Sequence, residues 1–153
     1  MGKSIIHYRW SAKRSLVLVL SLTLTLISMP SILTPSSVSH RPVNRQDLHK
    51  LISLNHPQPE LVSSIINTES NWDSNAVSSK GAIGLMQVMP NSAKMVGLNY
   101  SKEDLKCPEK NIIAGTRILK YYQRTSRTLE EALDKYSGGA TNYYQKVMRR
   151  MKS

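Results

Sequence analysis

The stretch PELVSSIINTES, residues 59–70, lays two adjacent rows along one helix face. Leu61, Ile65 and Glu69 recur at i, i+4, and Val62, Ile66 and Ser70 run beside them. Pro59 suits a first helical turn, and Glu60 favours the positive end of the helix. Both rows are apolar until their last member. Glu69 therefore rides on the face expected to pack inward, a place that glutamates normally avoid. Partial desolvation and the negative C-terminal end of the helix both disfavour its anion. No Lys or Arg lies close in the sequence to oppose them; the nearest is Lys80. An ordinary glutamate titrates near ~4.3, whereas a general acid at neutral pH works best near ~6. The pattern alone leaves open a helix-end Glu turned to solvent.

Downstream, KGAIGLMQV at 80–88 is glycine-punctuated and alternating rather than helical. Gly81 and Gly84 bracket Ala82-Ile83, so the backbone can turn tightly or let a ligand approach. Leu85-Met86-Gln87 then sets one amide among apolar side chains, as in a pocket with few polar groups or in a plain hairpin.

Helix signals recur on either side. Asn44 can cap a segment with Leu48, Leu51 and Ile52 on one face. Ile112, Gly115, Leu119 and Tyr122 mark the longest helix, with Gly115 admitting a close neighbour. Thr128 and Glu131 form a capping-box pattern before Leu129, Ala132, Leu133 and Tyr136. Tyr144, Val147, Met148 and Met151 repeat that spacing. Gly97 and Gly138-Gly139 read as stops. The expected architecture is mainly α, about six short helices with one Gly-rich extended loop.

The chain has 153 residues, enough for one domain, with 21 Lys+Arg against 10 Asp+Glu and a formal charge of +11. One cysteine, Cys107, excludes an internal disulfide framework and multi-cysteine metal sites; it reads as a buried small residue. No Gly-rich nucleotide loop and no HExxH occurs. Residues 1–39 hold four bases and no acid, and Leu16–Ile27 is apolar but for Ser21, Thr23 and Thr25. A basic head, a short apolar run and small residues are the parts of a secretory signal, with Ser37-Val38-Ser39 as the cleavage site. An uncleaved N-terminal anchor is the alternative. In either case residues 40–153 form the working domain, outside the cytoplasm. That part keeps a charge of +7, which suits anionic lipid or an acidic wall polymer, or simply a solvated surface.

Glu69-Ser70, Ala76-Val77-Ser78 and Gly81-Ala82-x-Gly84-Leu85-Met86-Gln87 with Pro90 resemble the soluble-type (family 1) lytic transglycosylases of bacterial cell walls. The resemblance continues through Asn111-Ile112-x-x-Gly115-x-x-Ile118-Leu119 to Tyr136, and covers about residues 45–147. It implies the lysozyme-like, mainly helical fold of goose-type lysozymes. It also implies Glu69 as the sole catalytic acid/base, with Ser78, Gln87, Met89 and Tyr136 along the glycan cleft. Ser70 and Asn111 are further candidates, although a helix-start or core hydrogen bond explains Asn111 equally well. The family's Tyr-Asn-Ala-Gly segment reads Tyr136-Ser137-Gly138-Gly139 here, which removes any contact made by that asparagine.

Glycoside hydrolysis usually takes two carboxyl groups. Asp73 reads as a turn residue, Asp104 and Glu109 as part of a charged connection, and Glu130, Glu131 and Asp134 as a surface helix. One well-placed carboxyl fits the family's reaction, in which peptidoglycan strands are cut without water and end in 1,6-anhydro muramoyl rings. A hydrolytic muramidase using Asp73 and a non-catalytic wall-binding or assembly module are the alternatives. No metal, cofactor or nucleic-acid partner is implied. The expected site of action is the periplasm or cell envelope. A dedicated role beside a secretion, conjugation or pilus machine is favoured over general wall turnover by the small size.

Overall fold

The computed structural model describes residues 44–152; the expected signal or anchor over 1–39 lies outside the described residues. Seven helices follow in order: α1 Arg45–Asn55, α2 Pro59–Glu69, α3 Pro90–Met95, α4 Lys102–Lys106, α5 Pro108–Thr125, α6 Leu129–Ser137 and α7 Tyr143–Met151. The mainly helical expectation holds, with one more helix than the spacing predicts. The short α4 lies where a charged connection is expected. Ser101 starts it through a full capping box with Asp104.

The caps read from the sequence form. Asn44 accepts from the Asp47 N–H at 2.9 Å, and α2 begins on Pro59. Thr128 accepts from the Glu131 N–H at 3.1 Å. The Glu131 carboxyl takes the Arg127 N–H instead of returning to Thr128 itself.

Helix α2 is the buried spine, with Leu61, Val62, Ile65 and Ile66 inside. It packs against α7 and α1, while α5 gathers α1, α3, α4 and α6. Each such aliphatic side chain contributes about 1.5–3 kcal/mol by leaving water. Helix α5 buries Ile112, Ile118 and Leu119, with Gly115 among them. A Cβ on Gly115 would lie 2.7 Å from the Met86 Cβ, so Gly115 is what lets the loop sit on α5. In α7 the buried row is Tyr143 and Val147. Val147 belongs to the expected row, and Tyr144 and Met148 pack half-buried against the core, whereas Met151 is 43% exposed and Tyr143 is buried in addition. Cys107 is half-buried rather than buried, and its Sγ donates to Glu109 Oε2 at 3.0 Å.

The glycine-punctuated segment forms no full strand. Val77 pairs with Ile83, and Ile83 with Val88, as isolated antiparallel bridges. Among the described residues no helix is long and apolar enough to cross a membrane.

Candidate active site

Helix α2 stops at Glu69, and the chain reverses at once. Asn71 and Trp72 both take the left-handed backbone, at φ +52° and +69°, a conformation that costs roughly 1–2 kcal/mol for a residue with a Cβ. Trp72 is held there by side chains of α1: the Arg45 guanidinium lies 4.8 Å from the ring centroid and the His49 ring 5.0 Å away. That reversal leaves Asp73 exposed, where its carboxyl accepts the Asn75 N–H at 2.8 Å, as a turn residue does.

The Glu69 carboxyl is half-buried and accepts a 2.6 Å hydrogen bond from the Tyr143 hydroxyl, at the first turn of α7. Burial pushes the Glu69 carboxyl above its ordinary range, and the Tyr143 hydroxyl partly offsets this by favouring the anion. Tyr143 is 6% exposed. Burial first, and then the neighbouring Glu69 charge, hold its own phenol far above the ordinary value. Tyr136 is raised by the same two causes. Both tyrosines therefore stay protonated across the working range, and each keeps one hydroxyl hydrogen to donate. Tyr143 is the neighbour of Glu69 that the sequence reading misses.

The other candidates converge on the loop over 76–88. Asn111 is fully buried: its Oδ1 accepts the Met86 N–H at 2.8 Å, and its Nδ2 donates to the Ile83 and Leu105 carbonyls at 2.8 and 2.7 Å. The core hydrogen-bond reading of Asn111 is thus the one its geometry fits. The Ser70 hydroxyl lies 2.9 Å from the Leu85 carbonyl and 3.2 Å from that of Ile66, which ties the loop to α2. Tyr136 donates to the Met86 carbonyl at 2.9 Å. Gln87, itself at φ +47°, spends its amide hydrogens on the Ala76 and Gly84 carbonyls at 3.1 and 3.0 Å. The Ser78 hydroxyl accepts the Ala82 N–H at 3.0 Å. Met89 makes no such tie and is 37% exposed. Gly84 is required where it stands, since a Cβ there would meet the Leu105 carbonyl oxygen at 2.6 Å.

The altered segment after Tyr136 is locally self-sufficient. Ser137 ends α6, its hydroxyl accepting the Ala140 N–H at 3.1 Å, and Gly138 and Gly139 turn the chain at φ +67° and +81°. Asn142, also left-handed at +58°, then opens α7 and delivers Tyr143 to Glu69.

The chain has known relatives. The family model described as the transglycosylase SLT domain matches residues 50–153. The chain belongs to this family. A transglycosylase of Enterobacteria phage PRD1 is 35% identical over 81 residues, 53% of this chain and 29% of that protein. The membrane-bound lytic murein transglycosylase C of Histophilus somni (strain 2336) is 38% identical over 89 residues, 54% of this chain and 22% of that one. The crystal structure of the 70 kDa soluble lytic transglycosylase of Escherichia coli superposes with a TM-score of 0.54 at 30% identity. It covers 71% of this chain and 19% of the larger one, so this SLT-domain chain spans less than a third of the relatives it matches. The lysozyme-like, mainly helical fold is shared with that enzyme.

Proposed function

We propose that this SLT-domain protein is a peptidoglycan lytic transglycosylase working in the cell envelope, with Glu69 as its one acid/base. The observation that carries the reading is a half-buried carboxyl held by a neutral phenol, while Asp73, the next carboxyl along the chain, points into a turn. Burial keeps Glu69 protonated to a higher pH than usual, as a general acid requires.

In the proposed reaction Glu69 gives its proton to the oxygen of the β-1,4 bond between N-acetylmuramic acid and N-acetylglucosamine. The C1–O bond breaks, and the substrate's own acetamido oxygen supports the electron-poor C1. The Glu69 carboxylate, stabilised by the Tyr143 hydroxyl, then takes the proton from the muramoyl C6 hydroxyl as that oxygen closes on C1. The product ends in a 1,6-anhydro ring, and no water is consumed. Ring closure within one sugar has an effective-concentration advantage over attack by external water. Met89 packs on an apolar sugar face, and Ser78, Gln87 and Tyr136 shape the loop that faces the glycan. Residues 1–39 deliver the domain across the membrane or tether it there.

Mass spectra of muropeptides released from purified sacculi test this. Anhydro-ended products, one water lighter than hydrolysed ones, are expected; only reducing ends would make the protein a muramidase.

A further inference from the structure

Helix α5 buries Ile112, Gly115 and Leu119 and turns a different stripe away from the core. Arg117, Lys120, Tyr121 and Arg124 fall within about 100° of one another around the helix and span about 10 Å along it. Together with Met95 and Val96 of α3, which packs on α5, they line a cavity of about 430 Å³. Arg117 and Arg124 are exposed, Lys120, Tyr121 and Val96 are half-buried, and Met95 is 45% exposed. Many cations of this chain lack an ion pair, so that alone marks nothing. What sets this face apart is that three cations share one cavity with apolar side chains and with no acid. Residues 74–102 and 110–129, which supply both walls, contain no Asp or Glu. A second basic cavity, lined by Thr68, Lys146, Arg149 and Arg150, has no apolar side chain.

The two kinds of lining call for an amphipathic ligand. Guanidinium groups take phosphate oxygens through paired N–H donors. Long basic side chains keep their charge at a polar boundary while their stems lie on apolar matter, and a tyrosine ring sits at the same level. A soluble polyanion would cover the cations and leave Met95 in water, whereas a lipid surface covers both. We infer that this cavity docks the headgroup of an anionic phospholipid, its phosphate held by the cations of α5 and Met95 entering the acyl boundary. Helices α3 and α5 then form the face by which the domain lies on a membrane. This docking needs neither Glu69 nor glycan, and so stands apart from the transglycosylase reading. A domain delivered by residues 1–39, as proposed above, works within reach of such a surface.

Flotation of the full chain tests this, with vesicles of phosphatidylcholine alone and with a quarter of it replaced by phosphatidylglycerol. The anionic vesicles are expected to bind at least about tenfold more tightly. Arg117→Gln/Lys120→Gln/Arg124→Gln should remove most of that preference. Lys146→Gln/Arg149→Gln/Lys152→Gln removes the same charge from another helix and should keep it. Any affinity of residues 1–39 for vesicles is common to all variants and cancels from the comparison. Arg124→Glu alone, at an exposed position, should lower the preference at least about threefold and guards against misfolding of the triple variant. Met95→Ser should weaken binding to anionic vesicles while leaving its salt dependence unchanged. Equal losses in the two triple variants would reduce the preference to net charge and overturn the site. Polyphosphate binding as tightly as the vesicles, with Met95→Ser affecting neither, would overturn it in favour of a polyanion groove.

Discussion

The loop over 76–88 and the junction of α2 with α7 are built by opposite means. The loop is tied at residue after residue to neutral groups: Asn111 to Ile83 and Met86, Ser70 to Leu85, Tyr136 to Met86, Gln87 to Ala76 and Gly84. At the junction the helices pack closely, and a hydrogen bond joins two titratable side chains, Tyr143 and Glu69. A lattice of neutral hydrogen bonds does not respond to pH, and it holds the loop still while the proton moves. In the proposed reaction the junction has to respond, because its carboxyl exists in both protonation states during one turnover. Substitutions in the loop should therefore act through stability, and substitutions at the junction through chemistry.

The largest expected effect is at the junction. Glu69→Gln keeps the shape and loses the proton donor, so muropeptide release from sacculi should fall about 10³-fold or more while the thermal transition persists. Retained activity would move the chemistry to another residue and dissolve the contrast. In the loop, Asn111→Ala leaves the Met86 N–H and the Ile83 and Leu105 carbonyls without their buried partner. A cost of about 3–4 kcal/mol is expected in urea unfolding, with activity lost in step with the folded fraction.

Tyr143→Phe is the sharper probe, because it removes one hydroxyl and almost no volume. The phenol's hydrogen bond holds the Glu69 pKa down against burial. Without it the carboxyl stays protonated to higher pH, so the alkaline limb of the rate profile should move upward. The rate at the wild-type optimum should fall about 10-fold, since the anion formed after proton donation loses its partner. An unmoved alkaline limb would mean that Tyr143 only fills space.

How much of this was legible in the sequence depends on the range of the interaction. The apolar rows of α2, the cap at Thr128 and the close approach at Gly115 are local or periodic, and the residues carry them plainly. Helix α4 spans Lys102–Lys106, too few residues to show a period, and only its Ser101–Asp104 cap could have revealed it. In α7, Tyr143 and Tyr144 are neighbours about 100° apart, and either can head an apolar row. The structure buries Tyr143, which meets Glu69 74 residues away, and packs Tyr144 half-buried against the core. The loop candidates were found by resemblance, but their hydrogen-bond partners depend on how the chain folds back on itself. The resemblance therefore locates Ser70, Gln87, Asn111 and Tyr136 without showing that each holds backbone.

The smallest expected effect separates fold from function at a single residue. Burial raises the Glu69 pKa in the folded protein above its value in the unfolded chain. The unfolded state therefore releases this proton first as pH rises, and folding stability declines from near pH ~4.5 upward until the folded carboxyl has ionised as well. Below that window both states are protonated and the penalty is absent. Glutamine carries no charge at any pH, so Glu69→Gln should melt at a slightly higher temperature than wild type at pH 8. At pH 4 the two should melt together. Buried His56 adds its own slope in the opposite direction. Burial lowers its pKa below 6.5, and its ring accepts the Gln58 N–H at 3.1 Å, so stability falls as pH drops below ~6.5. Because His56 is present in both proteins, the difference between their melting curves isolates Glu69. If that difference did not change between pH 4 and 8, the carboxyl would be titrating as in water, and the junction would be no more responsive than the loop.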